Sequence, residues 1–238
     1  MNEQFKRWAL EKFSGCDNGE VEAGSPSKPA IWLLGIEHGT YKSIHDENYQ
    51  HNSADDSYAV ETQMRWPYNQ KAFKLLAAIH PRYSINEYKD FANQQMPFVR
   101  GSEGYFKGNI YPFPCHSEQS WAARAIAETG FSTKYEYLEW CHQFRLPAIA
   151  TWVENHQPKV IIGVGIGQRN AFCRAVFAKP VTPVEKIILG GKKQRLFLFE
   201  TNGRKLVVIP HFSGPWGLNS NALLEKTGQH IVDFLDGS

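Results

Sequence analysis

Three side chains of different chemistry stand at or just beyond short apolar runs: the carboxyl of Glu37 after IWLLG, the amide of Asn109 within GNIY, and the imidazole of His211 after KLVVIP. A carboxylate can orient water or oppose positive charge, an imidazole can donate to a departing group, and an amide offers both a donor and an acceptor. Other chemistry is poorly served. Cys16, Cys115, Cys141 and Cys173 form no C-x-x-C pair of the zinc or redox kind. His38, His45 and His51 with Asp46, Asp55 and Asp56 fit no metal-ligand spacing, so no metal is expected. The glycines of Gly163-Val164-Gly165-Ile166-Gly167 lack the spacing of a dinucleotide loop, and no acidic residue follows about 20 positions on in a clear second strand. A tight turn beside the site suits them better.

The elements that must position these residues follow from periodicity. Residues 3–13 have the spacing of a short amphipathic helix, residues 69–79 present one apolar face, and 135–156 read as helical with a break or restart at Pro147. IWLLG and PKVIIGVG are apolar runs suited to strands buried on both faces, and residues 108–111 read as a second short strand. Residues 186–200 and 203–209 flank Asn202-Gly203, a strong hairpin signal, and a helix over 222–235 closes the chain. Residues 41–64 are polar without a period and read as a surface insertion. The alternation predicts an α/β fold, a three-layer α/β/α sandwich with a central, mainly parallel four-stranded sheet, as one domain over 1–238. Ligands of such sheets bind beyond the carboxyl ends of the strands, where Glu37, Asn109 and His211 fall.

The 238 residues are 42% hydrophobic and 21% charged, which excludes a disordered or fibrous chain. No apolar stretch approaches the roughly 20 residues of a membrane span, and MNEQFKRWALEKF is charged where a signal peptide is apolar. A cytoplasmic protein without membrane association is expected, and no obligate protein partner is inferred. With 26 basic and 24 acidic residues the formal charge is +2, so a nucleic-acid partner must be held by a local patch. Lys192, Lys193, Arg195, Arg204 and Lys205 around the hairpin form one candidate patch, and a solvated rim is the equally simple reading.

GIEHG at 35–39, NIYP at 109–112 and HFSG at 211–214 resemble, in order and placement, the three motifs of the uracil-DNA glycosylase superfamily, nearest its single-strand-selective monofunctional branch. The resemblance spans the chain as an arrangement and about a dozen residues as identities. His38 and Phe212 stand where the family has proline, and the four-cysteine iron-sulfur branch is not matched.

The resemblance implies a DNA glycosylase-type hydrolase that acts in DNA repair by base flipping, hydrolysing the N-glycosidic bond of a damaged or deaminated base, uracil or a relative, without cofactor. Glu37 then orients water and opposes the oxocarbenium-like charge on the sugar, and His211 donates to the leaving base. Asn109 reads the base edge, within a pocket formed with Gly35, Gly39 and Ser213. Tyr41, Trp66, Tyr68 and Phe113 are candidate stacking surfaces for the base. Trp216 or Leu218 is the candidate wedge left in the DNA, single- or double-stranded, and Lys192 and Lys193 are its phosphate contacts. The alternative is a non-catalytic nucleic-acid or nucleobase-binding relative whose substituted motifs have lost the reaction; a nucleotide-dependent enzyme using the 163–167 glycines is a third possibility.

Overall fold

Short, mostly apolar runs make the central strands of this protein, and amphipathic segments between them make helices that cover the sheet. The computed structural model describes residues 2–11, 20–37, 59–115, 121–190 and 194–237. The strands are β1 (Gly24–Ser25), β2 (Lys28–Pro29), β3 (Ile31–Gly35), β4 (Tyr105–Asn109), β5 (Val160–Val164), β6 (Glu185–Ile188), β7 (Arg195–Thr201) and β8 (Arg204–Ile209). The helices are α1 (Glu3–Glu11), α2 (Glu20–Ala23), α3 (Val60–Gln63), α4 (Pro67–Ile79), α5 (Tyr88–Gln95), α6 (Ala123–Thr129), α7 (Lys134–Trp140), α8 (Leu146–His156), α9 (Arg169–Phe177) and α10 (Asn221–Asp236).

β1 and β2 form a small hairpin, and the other six strands form one sheet in the order β4-β3-β5-β8-β7-β6. β4, β3, β5 and β8 run parallel, so their carboxyl ends share one edge, while β7 and β6 continue the sheet antiparallel. The fold is therefore α/β with a mostly parallel sheet, but of six strands rather than four. The run 186–200 is two strands, β6 and β7, and each adds one antiparallel rung beyond β8.

Successive residues of a strand point to opposite faces, and the core divides accordingly. Trp32, Leu34, Ile161, Leu206 and Val208 pack with residues of α1, α7, α8 and α9, whereas Leu33, Ile162, Val207 and Ile209 pack with residues of α4, α5 and α10. Two local expectations shift. The strand expected at 108–111 lies at Tyr105–Asn109, because β4 pairs in register with β3 and Gly35 stands opposite Asn109. Of the break or restart expected at Pro147 the structure shows the restart: proline sits in the first turn of α8, where its missing N–H costs nothing, after a π-turn over Cys141–Arg145 that joins α7 to α8. Among the described residues no helix is long and apolar enough to cross a membrane.

Candidate functional site

Asn109 is the last residue of β4, and its neighbour across the ladder is Gly35. A Cβ on Gly35 would overlap Asn109 Oδ1, so the glycine makes the space that the amide occupies. The same point lies 3.5 Å from the Tyr68 hydroxyl. Asn109 is only 6% exposed.

Lys107, two residues earlier and on the same face of β4, donates to Asn69 Oδ1 at 2.7 Å and lies 5.1 Å above the Tyr68 ring. Asn69 Nδ2 donates to Gln63 Oε1 at 3.2 Å, and Gln63 Nε2 donates to the Pro97 carbonyl at 3.1 Å. This buried polar chain seats the start of α4 on the edge strand and so fixes Tyr68 beside Asn109. Burial raises the Tyr68 hydroxyl well above the ordinary phenol range, which keeps it a neutral donor.

β8 carries the chain to His211. The Ser213 amide donates to His211 Nδ1 at 3.1 Å, and Ser213 Oγ lies 2.8 Å from the same nitrogen. An N–H can be received only by an unprotonated nitrogen, so the neutral ring carries its proton on Nε2. The Tyr68 ring lies 5.9 Å from the His211 ring and meets Phe212 edge-on at 5.0 Å. Behind the imidazole the segment closes on itself: the Leu218 amide donates to the His211 carbonyl at 2.9 Å and Asn219 Nδ2 to the Gly214 carbonyl at 2.6 Å. Gly35, Asn109, Tyr68, His211 and Ser213 thus form one group, linked through the tyrosine ring.

Glu37 leaves the same carboxyl edge but turns to α7. Its two oxygens accept from Lys134 Nζ at 3.0 and 3.2 Å, and the side chains are 8% and 10% exposed, respectively. Lys134 opens α7, whose N-cap Thr133 accepts from the Glu136 amide at 3.1 Å while Glu136 returns the bond. Cys115 is buried beside this pair; burial and then the Glu37 charge push its thiol up. Next to it the Tyr111 amide donates to the Ile36 carbonyl at 2.9 Å, and the Tyr111 hydroxyl lies 2.9 Å from His142 Nε2 and 3.4 Å from Gln168 Oε1. His142 belongs to the π-turn, and burial, then Arg174, holds its pKa below the ordinary histidine value.

The remaining candidates separate. Phe113 is buried against Phe5 and Trp121, at 6.2 and 5.8 Å between ring centroids, which makes it a core residue rather than a stacking platform. Leu218 is fully buried and packs in the α4/α10 side of the core, so it is no wedge; Trp216 is 56% exposed. Trp66 caps α4 and is partly exposed. Gly39, Tyr41, Lys192 and Lys193, with His38, His45, His51, Asp46, Asp55, Asp56 and Cys16, lie outside the described residues. Gly163 and Gly165 serve packing. A Cβ on Gly163 would stand 2.8 Å from the Phe172 ring, and one on Gly165, at φ +128°, 2.7 Å from Ile36 Cδ1. Among the described residues no group of three or more His, Cys, Asp or Glu could hold a metal ion.

Sequence reasoning did not single out Lys134, Lys71, Lys107 or the Tyr111–His142 pair. Lysines carry no local signal of a tertiary partner, although Tyr68 and Lys71 are spaced to share one face of α4. No protein-family model matches this chain, and neither does any curated protein.

Proposed function

We propose that the chain is a uracil-DNA-glycosylase-like protein that receives a base flipped out of DNA at the carboxyl edge of its sheet and hydrolyses its N-glycosidic bond. The observation that carries this reading is the largely buried side chain of Asn109, whose amide oxygen fills the space over Gly35 beside the Tyr68 hydroxyl. An amide in that setting suits a planar edge that both donates and accepts, as a pyrimidine does. His211, with its proton on Nε2, suits donation to the oxygen of a departing base, where charge develops in the transition state. Glu37, paired with Lys134, is the carboxylate to which this reading assigns the water. The division of the core between two helix groups supports the three-layer α/β/α arrangement that goes with this reading.

A second reading has its own observation. The Lys134 ammonium neutralises Glu37, which weakens the carboxylate as a counter-charge for an oxocarbenium ion. A non-catalytic protein that binds a base or DNA through Asn109 and Tyr68 fits that pairing. Oligonucleotides carrying uracil, hypoxanthine, xanthine or oxidised pyrimidines, incubated with the purified protein, separate the readings. Release of a free base is expected, and Glu37→Gln and His211→Ala should each reduce it about 100-fold or more while sparing DNA binding. Binding of uracil or DNA without release selects the second reading, and neither binding nor release removes both.

A further inference from the structure

The peptide group between Phe212 and Ser213 is held at both ends. Its N–H donates to His211 Nδ1 at 3.1 Å, and its carbonyl accepts from Lys71 Nζ. Lys71 reaches the segment from α4, one turn after Tyr68, and donates also to Asn219 Oδ1 at 3.2 Å, whose own amide holds the Gly214 carbonyl. Because a peptide unit is planar and trans, its C=O and N–H point in opposite directions, and a bond that fixes one end fixes the aim of the other. An ammonium on the carbonyl also polarises the group and makes the N–H a stronger donor. We propose that Lys71 is a positioning residue for His211: acting through the Phe212–Ser213 peptide, it sets the ring's tautomer, proton on Nε2, and its direction toward the space beside Asn109 and Tyr68. This role depends on the proposed function only for its consequence, the donation to a bound base.

Lys71 has a competing use as one more phosphate contact, and the two uses leave different traces. A phosphate contact changes the salt dependence of DNA binding and leaves the imidazole alone. A clamp on the peptide changes the imidazole with no DNA present. The test is the nitrogen NMR spectrum of the His211 side chain in the free protein near neutral pH, assigned with a His211→Gln control. In wild type the two ring nitrogens should give widely separated resonances, with the unprotonated one assigned to Nδ1 through its couplings to the ring carbon-bound protons, the pattern of a single Nε2–H tautomer. Lys71→Met should lose that separation, Lys71→Arg, which keeps a cationic donor, should retain it, and Ser213→Ala, which keeps the backbone N–H, should retain it too. Lys71→Gln, shorter and neutral, gives the same comparison if Lys71→Met does not fold. An unchanged His211 spectrum in Lys71→Met or Lys71→Gln, or loss in Ser213→Ala alone, would overturn the proposal. Titration of wild type with free uracil completes the experiment: absence of binding counts against the base-binding reading, while the tautomer result still decides the role of Lys71.

Discussion

At the scale of single residues the site turns on what is missing from Gly35. The glycine is not needed for an unusual backbone angle; it is needed because Asn109 fills the volume a methyl group would take. Gly35→Ala should push the amide aside, costing about 1–3 kcal/mol in urea denaturation and abolishing any uracil binding measured by calorimetry. The Glu37–Lys134 pair makes an opposite demand. Breaking a buried pair by removing one partner leaves an uncompensated charge, so Lys134→Met alone should cost about 3–5 kcal/mol, and adding Glu37→Gln should recover much of that loss. Equal, additive losses in a double-mutant cycle would show the two side chains uncoupled.

The elements matter through where they begin. α4 starts at the carboxyl edge and brings Tyr68 and Lys71 to the His211 segment, and α7 starts with Lys134 against Glu37. The start of α7 is set by a capping box on Thr133, so Thr133→Ala should lower the unfolding free energy by about 0.5–2 kcal/mol and loosen the Lys134 end of the ion pair, seen as weaker amide-exchange protection over residues 134–140. The opposite end of the sheet offers a contrast. The β7–β8 hairpin turns at Asn202, which has φ +53°, and Gly203, as the Asn-Gly signal requires, but it lies at the amino edge of the parallel strands. Its turn chemistry shapes the fold and stays away from the group of Asn109, Tyr68 and His211.

At the scale of the molecule, burial governs the thiols. Burial pushes Cys141 up to about 12 and Cys173 up to about 11 from an ordinary 9.0, and raises Cys115 as well. A thiol whose folded value is raised contributes stability that is complete below the ordinary value and is lost as pH rises through the folded one. Stability should therefore fall between pH 9 and 12, and Cys115, Cys141 and Cys173 should resist a thiol reagent at neutral pH until the protein is denatured, as mass spectrometry of labelled peptides can show. Net charge sets the other whole-molecule property. At +2 the chain has no general attraction for nucleic acid, so DNA affinity, if carried by the hairpin lysines, should fall steeply with salt and fall further, alike for all sequences, in Lys192→Ala with Lys193→Ala.

The alternation of apolar runs with helical faces was legible from composition and spacing alone, because burial on two faces demands apolar residues at every strand position and helical burial demands them every third or fourth. IWLLG, PKVIIGVG and KLVVIP are where they were expected, and the residues that follow them share one edge because parallel strands end together. What periodicity could not supply was pairing. That β6 and β7 widen the sheet to six strands, that Gly35 lies opposite Asn109, and that Leu218 and Phe113 belong to the core are matters of register and packing between segments far apart in the chain. The same holds for the lysines. Lys71, Lys107 and Lys134 look like surface residues in the sequence, and only the folded chain brings their ammonium groups to the Phe212 carbonyl, Asn69 and Glu37, because a long flexible side chain takes its partner from tertiary neighbours rather than from adjacent residues.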